Sequence, residues 1–129
     1  MAHKVVFFSS PTEPTAVTNL MAVATSSQSI QVSWDLPLYP NGRILFYDLF
    51  YRVSDIPQHP PNIIRDSSYT KMMVMNATNY EITGLTPYTN YTIHVRAIGR
   101  DDLAGDVDVE ILQRTNSTIQ KGKEFNFKI

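Results

Sequence analysis

Apolar and polar residues alternate with period two in recurrent stretches of this chain, and turn residues bound each stretch. Ser29-Ile30-Gln31-Val32-Ser33-Trp34 is the cleanest case, with Ile30, Val32 and Trp34 on one face. Tyr91–Ile98 repeats the pattern: Tyr91, Ile93, Val95 and Ala97 face one way, and Thr92, His94 and Arg96 the other. Helical periodicity is hard to find. The pattern predicts seven strands, at Ala16–Ala24, Ser29–Trp34, Ile44–Val53, Tyr69–Met75, Asn79–Thr83, Tyr91–Ile98 and Val107–Arg114.

The breaks have their own chemistry. Pro37 and Pro40-Asn41-Gly42 separate the second strand from the third, because proline presets φ while asparagine and glycine accept positive φ. Gly84 and Pro87 precede the sixth strand, and Gly99 and Gly105 bracket an acidic connection. The stretch from Asp55 to Ser68, with Pro57, Pro60 and Pro61, has no alternation and reads as a long loop. Lys4–Ser10 reads as the closing strand of a preceding unit. Phe125-Asn126-Phe127-Lys128-Ile129 alternates and reads as a further short strand or a tail. Residues 1–13 are thus a tail or linker, 14–115 a domain and 116–129 a second tail. Such tails are suited to self-association by strand addition.

A chain of 129 residues suits one domain. It has no cysteine, so a disulfide framework and a thiolate metal site are excluded. The formal charge of −1 supplies no field for nucleic acid. No apolar run approaches the roughly 20 residues that span a bilayer, so this segment is not expected to insert directly into a membrane. The N-terminus makes a poor signal peptide, and the chain reads as a segment of a longer protein.

The order of motifs now identifies a resemblance. Pro11 and Pro14 lead into Val17-Thr18-Asn19-Leu20. Ser29–Trp34, Pro40-Asn41-Gly42, and Ile44 with Tyr47, Leu49 and Tyr51 follow. Then come Tyr80-Glu81-Ile82-Thr83-Gly84-Leu85-Thr86-Pro87-Tyr88-Thr89-Asn90-Tyr91 and Val95-Arg96-Ala97. This resembles a fibronectin type III domain across about Pro14–Thr115. The resemblance implies an all-β, immunoglobulin-like Greek-key antiparallel β-sandwich of seven strands, in which the third and sixth strands pair. Trp34, Leu85, Pro87 and Tyr91 are then fold residues. Trp34 would supply the largest core contact, and the Tyr91 hydroxyl would bond back to main chain near Leu85, by analogy with the tyrosine corner of such sandwiches. Within the family, the sequons and the Pro-Asn-Gly turn are most similar to receptor-type tyrosine phosphatase ectodomains; neural adhesion molecules and cytokine-receptor-like proteins are the other kinds of parent.

Catalysis finds no support. His3, His59 and His94 fall on separate segments, and no metalloprotease helix motif, phosphate loop or nucleophile elbow occurs. No catalytic, cofactor-binding or metal residue is therefore assigned. The acidic segment Asp101–Asp108 lacks the ligand spacing of a calcium loop. Gly99-Arg100-Asp101 is not the Arg-Gly-Asp order of integrin ligands.

Two features do point outward. Asn76-Ala77-Thr78, Asn90-Tyr91-Thr92 and Asn116-Ser117-Thr118 are N-glycosylation sequons. Eight asparagines and 22 serines and threonines give about 1.4 such triplets by chance, and all three are expected at accessible places. They favour an extracellular location, either secreted or in the ectodomain of a single-pass membrane protein. The third strand supplies the second feature. With Tyr47, Leu49 and Tyr51 inward, Phe46, Asp48, Phe50 and Arg52 face out beside His94 and Arg96. Phe46, Phe50, His94 and Arg96 then form an aromatic and basic face suited to a protein partner or a neighbouring repeat. The alternative is that the Asp55–Ser68 loop, with Ile56, Ile63 and Ile64, folds over them. The expected function is a non-catalytic interaction and spacer module of a multi-repeat receptor or adhesion protein. The alternatives are an intracellular structural repeat, which the lack of cysteine suits, and an accessory carbohydrate-associated module of a secreted enzyme.

Overall fold

The computed structural model describes residues 12–54, 69–107 and 110–118. Among these, seven strands form: β1 (Thr18–Ser26), β2 (Ser29–Asp35), β3 (Phe46–Val53), β4 (Thr70–Val74), β5 (Asn79–Ile82), β6 (Asn90–Ile98) and β7 (Ile111–Arg114). They make two antiparallel sheets, one in the order β1-β2-β5 and the other β4-β3-β6-β7. The segments read as Lys4–Ser10, Asp55–Ser68 and Phe125–Ile129 lie outside the described residues.

The alternation explains the layering. Ile30, Val32 and Trp34 of β2, Tyr47 and Leu49 of β3, Val74 of β4, Ile82 of β5, and Tyr91, Ile93, Val95 and Ala97 of β6 are all buried between the sheets. Trp34 meets Tyr47 edge-on at 5.3 Å, an arrangement that suits the charge distribution of both rings. Burial pushes the Tyr47 hydroxyl pKa up, opposed by the Trp34 indole N–H, which stops short of hydrogen-bond geometry. The register of β3 follows its inward tyrosines: Leu49 pairs with Val95, Phe50 with His94 and Asp48 with Arg96.

β1, β3 and β7 start later than the alternation predicts, β3 at Phe46 rather than Ile44. β1 starts at Thr18 rather than Ala16, because the preceding segment is bound elsewhere: the Thr15 N–H donates to the Tyr39 carbonyl at 3.0 Å. β1 is also irregular between Thr18 and Met21, where Asn19 takes a φ of 50°. β7 starts at Ile111 rather than Val107. Upstream, Ala104 makes an isolated bridge to Ile98, and the Gly105 N–H donates to the Ala97 carbonyl at 2.7 Å. Gly105 fits because it lacks a side chain: a Cβ there would stand 2.8 Å from the Pro14 carbonyl oxygen.

The turn between β5 and β6 is fastened by two hydroxyls. The Thr86 N–H donates to the Tyr91 hydroxyl at 2.9 Å. Thr115, 1% exposed, donates its hydroxyl to the Thr86 carbonyl at 2.7 Å and accepts from the Thr89 N–H at 2.9 Å. Leu85 is buried here, with its N–H donating to the Gln28 carbonyl at 3.0 Å, and the Pro87 carbonyl accepts from the Thr89 hydroxyl at 2.8 Å. Buried polar groups of the corner thereby find partners.

Candidate functional site

β3 and β6 run side by side through the middle of the four-stranded sheet, so their outward residues share one surface. Phe50 and His94, cross-strand partners, stack at 4.7 Å with 24° between their planes. Tyr69, just before β4, sets its ring edge-on to both, 4.7 Å from His94 and 6.1 Å from Phe50. The Arg52 guanidinium lies 4.9 Å from the Tyr69 ring and that of Arg96 lies 5.6 Å from the Phe50 ring. Cations at such distances are attracted by the ring faces.

Glu110 closes the cluster from the β7 side. Its Oε2 accepts from the Tyr69 hydroxyl at 2.5 Å and lies 3.2 Å from Nδ1 of His94. The His94 contact is of ion-pair length but is not aligned as a hydrogen bond. His94 is only 8% exposed, and this burial lowers its pKa below 6.5; Glu110 pulls the other way. Burial raises the Tyr69 hydroxyl pKa, and the bond to Glu110 adds to the rise. Burial therefore favours the neutral imidazole, which sits between an aromatic stack and a carboxylate.

Phe50, His94 and Arg96 are thus brought together. Phe46 is not with them. It lies at the start of β3, where it lines a separate groove of about 360 Å³ with Leu36, Ile44, Leu45, Asn76, Ala77 and Thr78. Asp48 lies outward between the two phenylalanines, yet it is 8% exposed, with Lys71 4.0 Å away. Alternation assigned His94 and Asp48 to the outer face, and they are on it, but other side chains cover both. Of the cluster, Tyr69 and Glu110 were missed as site residues. Strand parity could have given Tyr69, since Phe50 pairs with Lys71 and Tyr69 lies two residues before it. Glu110 lies just ahead of β7, and the pairing of Ile93 with Ile111 sets it opposite His94, a register that the alternation alone does not fix.

The sequon asparagines lie at three places. Asn76 is exposed in the β4–β5 turn with a φ of 57°. Asn90 opens β6, half-buried, and its side-chain oxygen accepts from Nε of Arg114 at 3.2 Å. Asn116 is exposed after β7, its N–H donating to the Ser26 carbonyl.

The profile of the Fibronectin type III domain matches residues 14–103 of this chain. The chain belongs to the fibronectin type III family. Within it, the chain is 33% identical to neogenin of Rattus norvegicus over 87 residues, which is 67% of this chain and 6% of neogenin. It is 31% identical to Ephrin type-A receptor 4-A of Xenopus laevis over 84 residues, 65% of this chain and 8% of the receptor. It therefore spans less than a tenth of the length of these relatives. Among solved structures, the fibronectin type III domain FN5 of Drosophila Lar is 27% identical with a TM-score of 0.63, covering 81% of this chain and 98% of that one. The third fibronectin III domain of human KIAA0343 protein superposes with a TM-score of 0.70 over 91% of this chain and 94% of that one; at 20% identity that likeness concerns the fold. Trp34, Leu85, Pro87 and Tyr91 all serve this fibronectin type III core or its β5–β6 corner.

Proposed function

We propose that this fibronectin type III domain, about 14–115, is an extracellular interaction and spacer module of a multi-repeat receptor or adhesion protein. The observation that carries the proposal is the outer face of the four-stranded sheet. Aromatic rings and guanidinium groups at Phe50, Tyr69, Arg52 and Arg96 are assembled there around a buried histidine, on rigid strands, and such residues dominate the centres of protein interfaces. The kinship with neogenin and an ephrin-type receptor supports an extracellular setting. The work of such a module is to hold a fixed distance and to present a face to a protein partner or an adjacent repeat, without turnover.

The test is placement of the domain in the full-length protein. An antibody to this domain is expected to label intact, unpermeabilised cells or the secreted fraction. Labelling only after permeabilisation would sink the proposal and favour an intracellular structural repeat.

A further inference from the structure

The groove beside Phe46 carries a second inference, which rests on the extracellular reading. Its floor and walls include Leu36, Ile44, Leu45, Phe46 and Ala77, and Leu36 and Leu45 are 57% and 39% exposed. The groove is open to water, and its lining mixes apolar and polar surface in nearly equal parts. Asn76 and Thr78, the first and third residues of a sequon, both line this groove. The left-handed φ of Asn76 explains an asparagine at that turn, since asparagine tolerates this conformation. It does not explain a threonine two residues on.

We infer that Asn76 is an N-glycosylation site whose first N-acetylglucosamine packs in the groove over Leu45 and Phe46. The chemistry needs a polyprenyl-pyrophosphate-linked oligosaccharide as donor. A bond forms between Nδ2 of Asn76 and C1 of the sugar, the C1–O bond to the pyrophosphate breaks, and the amide gives up one proton. Asn76 is exposed in a turn, as a glycosylation acceptor must be. Asn90 differs on both counts: it opens a strand and its amide oxygen is engaged by Arg114. Asn116 is exposed but does not line the groove. A groove of about 360 Å³ falls within the range of small-ligand clefts, roughly 300–1,000 Å³. A sugar ring offers it apolar C–H groups inward and hydroxyls outward.

The experiment is secretion of the full chain from eukaryotic cells that keep glycans in the high-mannose form. Glycopeptide mass spectrometry then reads occupancy at Asn76, Asn90 and Asn116. An endoglycosidase that leaves one N-acetylglucosamine gives a trimmed protein, whose Tm is compared with that of Thr78→Val, which removes the sequon and keeps the Asn76 turn. The expected result is near-complete occupancy of Asn76 and a Tm a few degrees higher for the one-sugar form. That gain should vanish in Phe46→Ser and in Leu45→Ser, the second guarding against a folding defect in the first. An unmodified Asn76 beside a modified Asn116 overturns the site and leaves the extracellular reading standing. No modification at any of the three overturns both. An occupied Asn76 whose sugar confers no gain, or a gain that survives both groove variants, overturns the packing.

Discussion

Thr115 lies beyond the residues matched by the family profile, yet the structure gives it one of the most constrained positions in the domain. Its hydroxyl donates to the Thr86 carbonyl at 2.7 Å and accepts from the Thr89 N–H at 2.9 Å. Thr115→Val keeps the shape and removes both bonds. Each buried partner left unsatisfied costs about 1–3 kcal/mol. Both bonds are only partly buried, so the lower end applies to each and the sum is about 2 kcal/mol. For a domain of this size that corresponds to a fall in Tm of roughly 8–16 °C. Thr115→Ser, which keeps the hydroxyl, should recover most of it. The assay is urea unfolding followed by the single tryptophan, Trp34, which is 2% exposed and should shift its emission to the red on unfolding. The cycle with Tyr91→Phe sharpens the test, because both hydroxyls bond Thr86. Their effects should be non-additive by at least about 0.5 kcal/mol. A Thr115→Val loss below about 0.5 kcal/mol, the scatter of ordinary surface changes, would refute the reasoning that these bonds fasten the corner.

Three further outcomes are expected. Phe50→Ser should leave the domain folded, at a cost of roughly 1–2 kcal/mol from a half-buried ring and its stack on His94, while weakening partner binding; global unfolding by circular dichroism would show that Phe50 is core. His94 has its folded pKa lowered by burial, so its contribution to stability is present above pH 6.5 and lost as pH falls through the lowered value. Chemical denaturation across that window should show a slope that His94→Gln flattens, and an unchanged slope would contradict the burial argument. Gly105→Ala should cost roughly 2 kcal/mol or more, because its Cβ meets backbone at 2.8 Å, whereas Gly84→Ala, with open space and a φ of 73°, should cost only about 1 kcal/mol in thermal melts.

How much of this was legible in the chain differs by residue. Ile30, Val32 and Trp34, and the inward tyrosines of β3, follow from alternation, because a strand with one buried face fixes its own register. The same pattern placed Phe50, His94 and Arg96 on one outer face. It did not say that His94 and Asp48 would be covered there, since period two gives the side of a sheet and not what lies above it. Over His94 the cover comes from Tyr69 and Glu110, and the bond between those two spans 41 residues of sequence. Thr115 was unreadable for the same reason: a threonine after a strand is ordinary until the β5–β6 turn is folded beside it. Phe46 is separated from Phe50 because four residues along a strand carry a side chain roughly 13 Å onward, to another feature of the surface.

The fastening of the two ends has a mechanical consequence. The segment leading into β1 is held at one pole, by Thr15 against Tyr39 and by the Asn41 side chain donating to the Glu13 carbonyl at 2.9 Å. The segment leaving β7 is held at the opposite pole, where Asn116 bonds Ser26 and its carbonyl accepts from Tyr88. Tension drawn between residues 12 and 118 would therefore run parallel to the strands. The hydrogen bonds of the β1–β2 and β6–β7 ladders would then be loaded together in shear rather than opened one at a time. Of those two ladders, β6–β7 has the fewer paired positions and is the one expected to yield first, with the Thr115 hydroxyl as its last anchor.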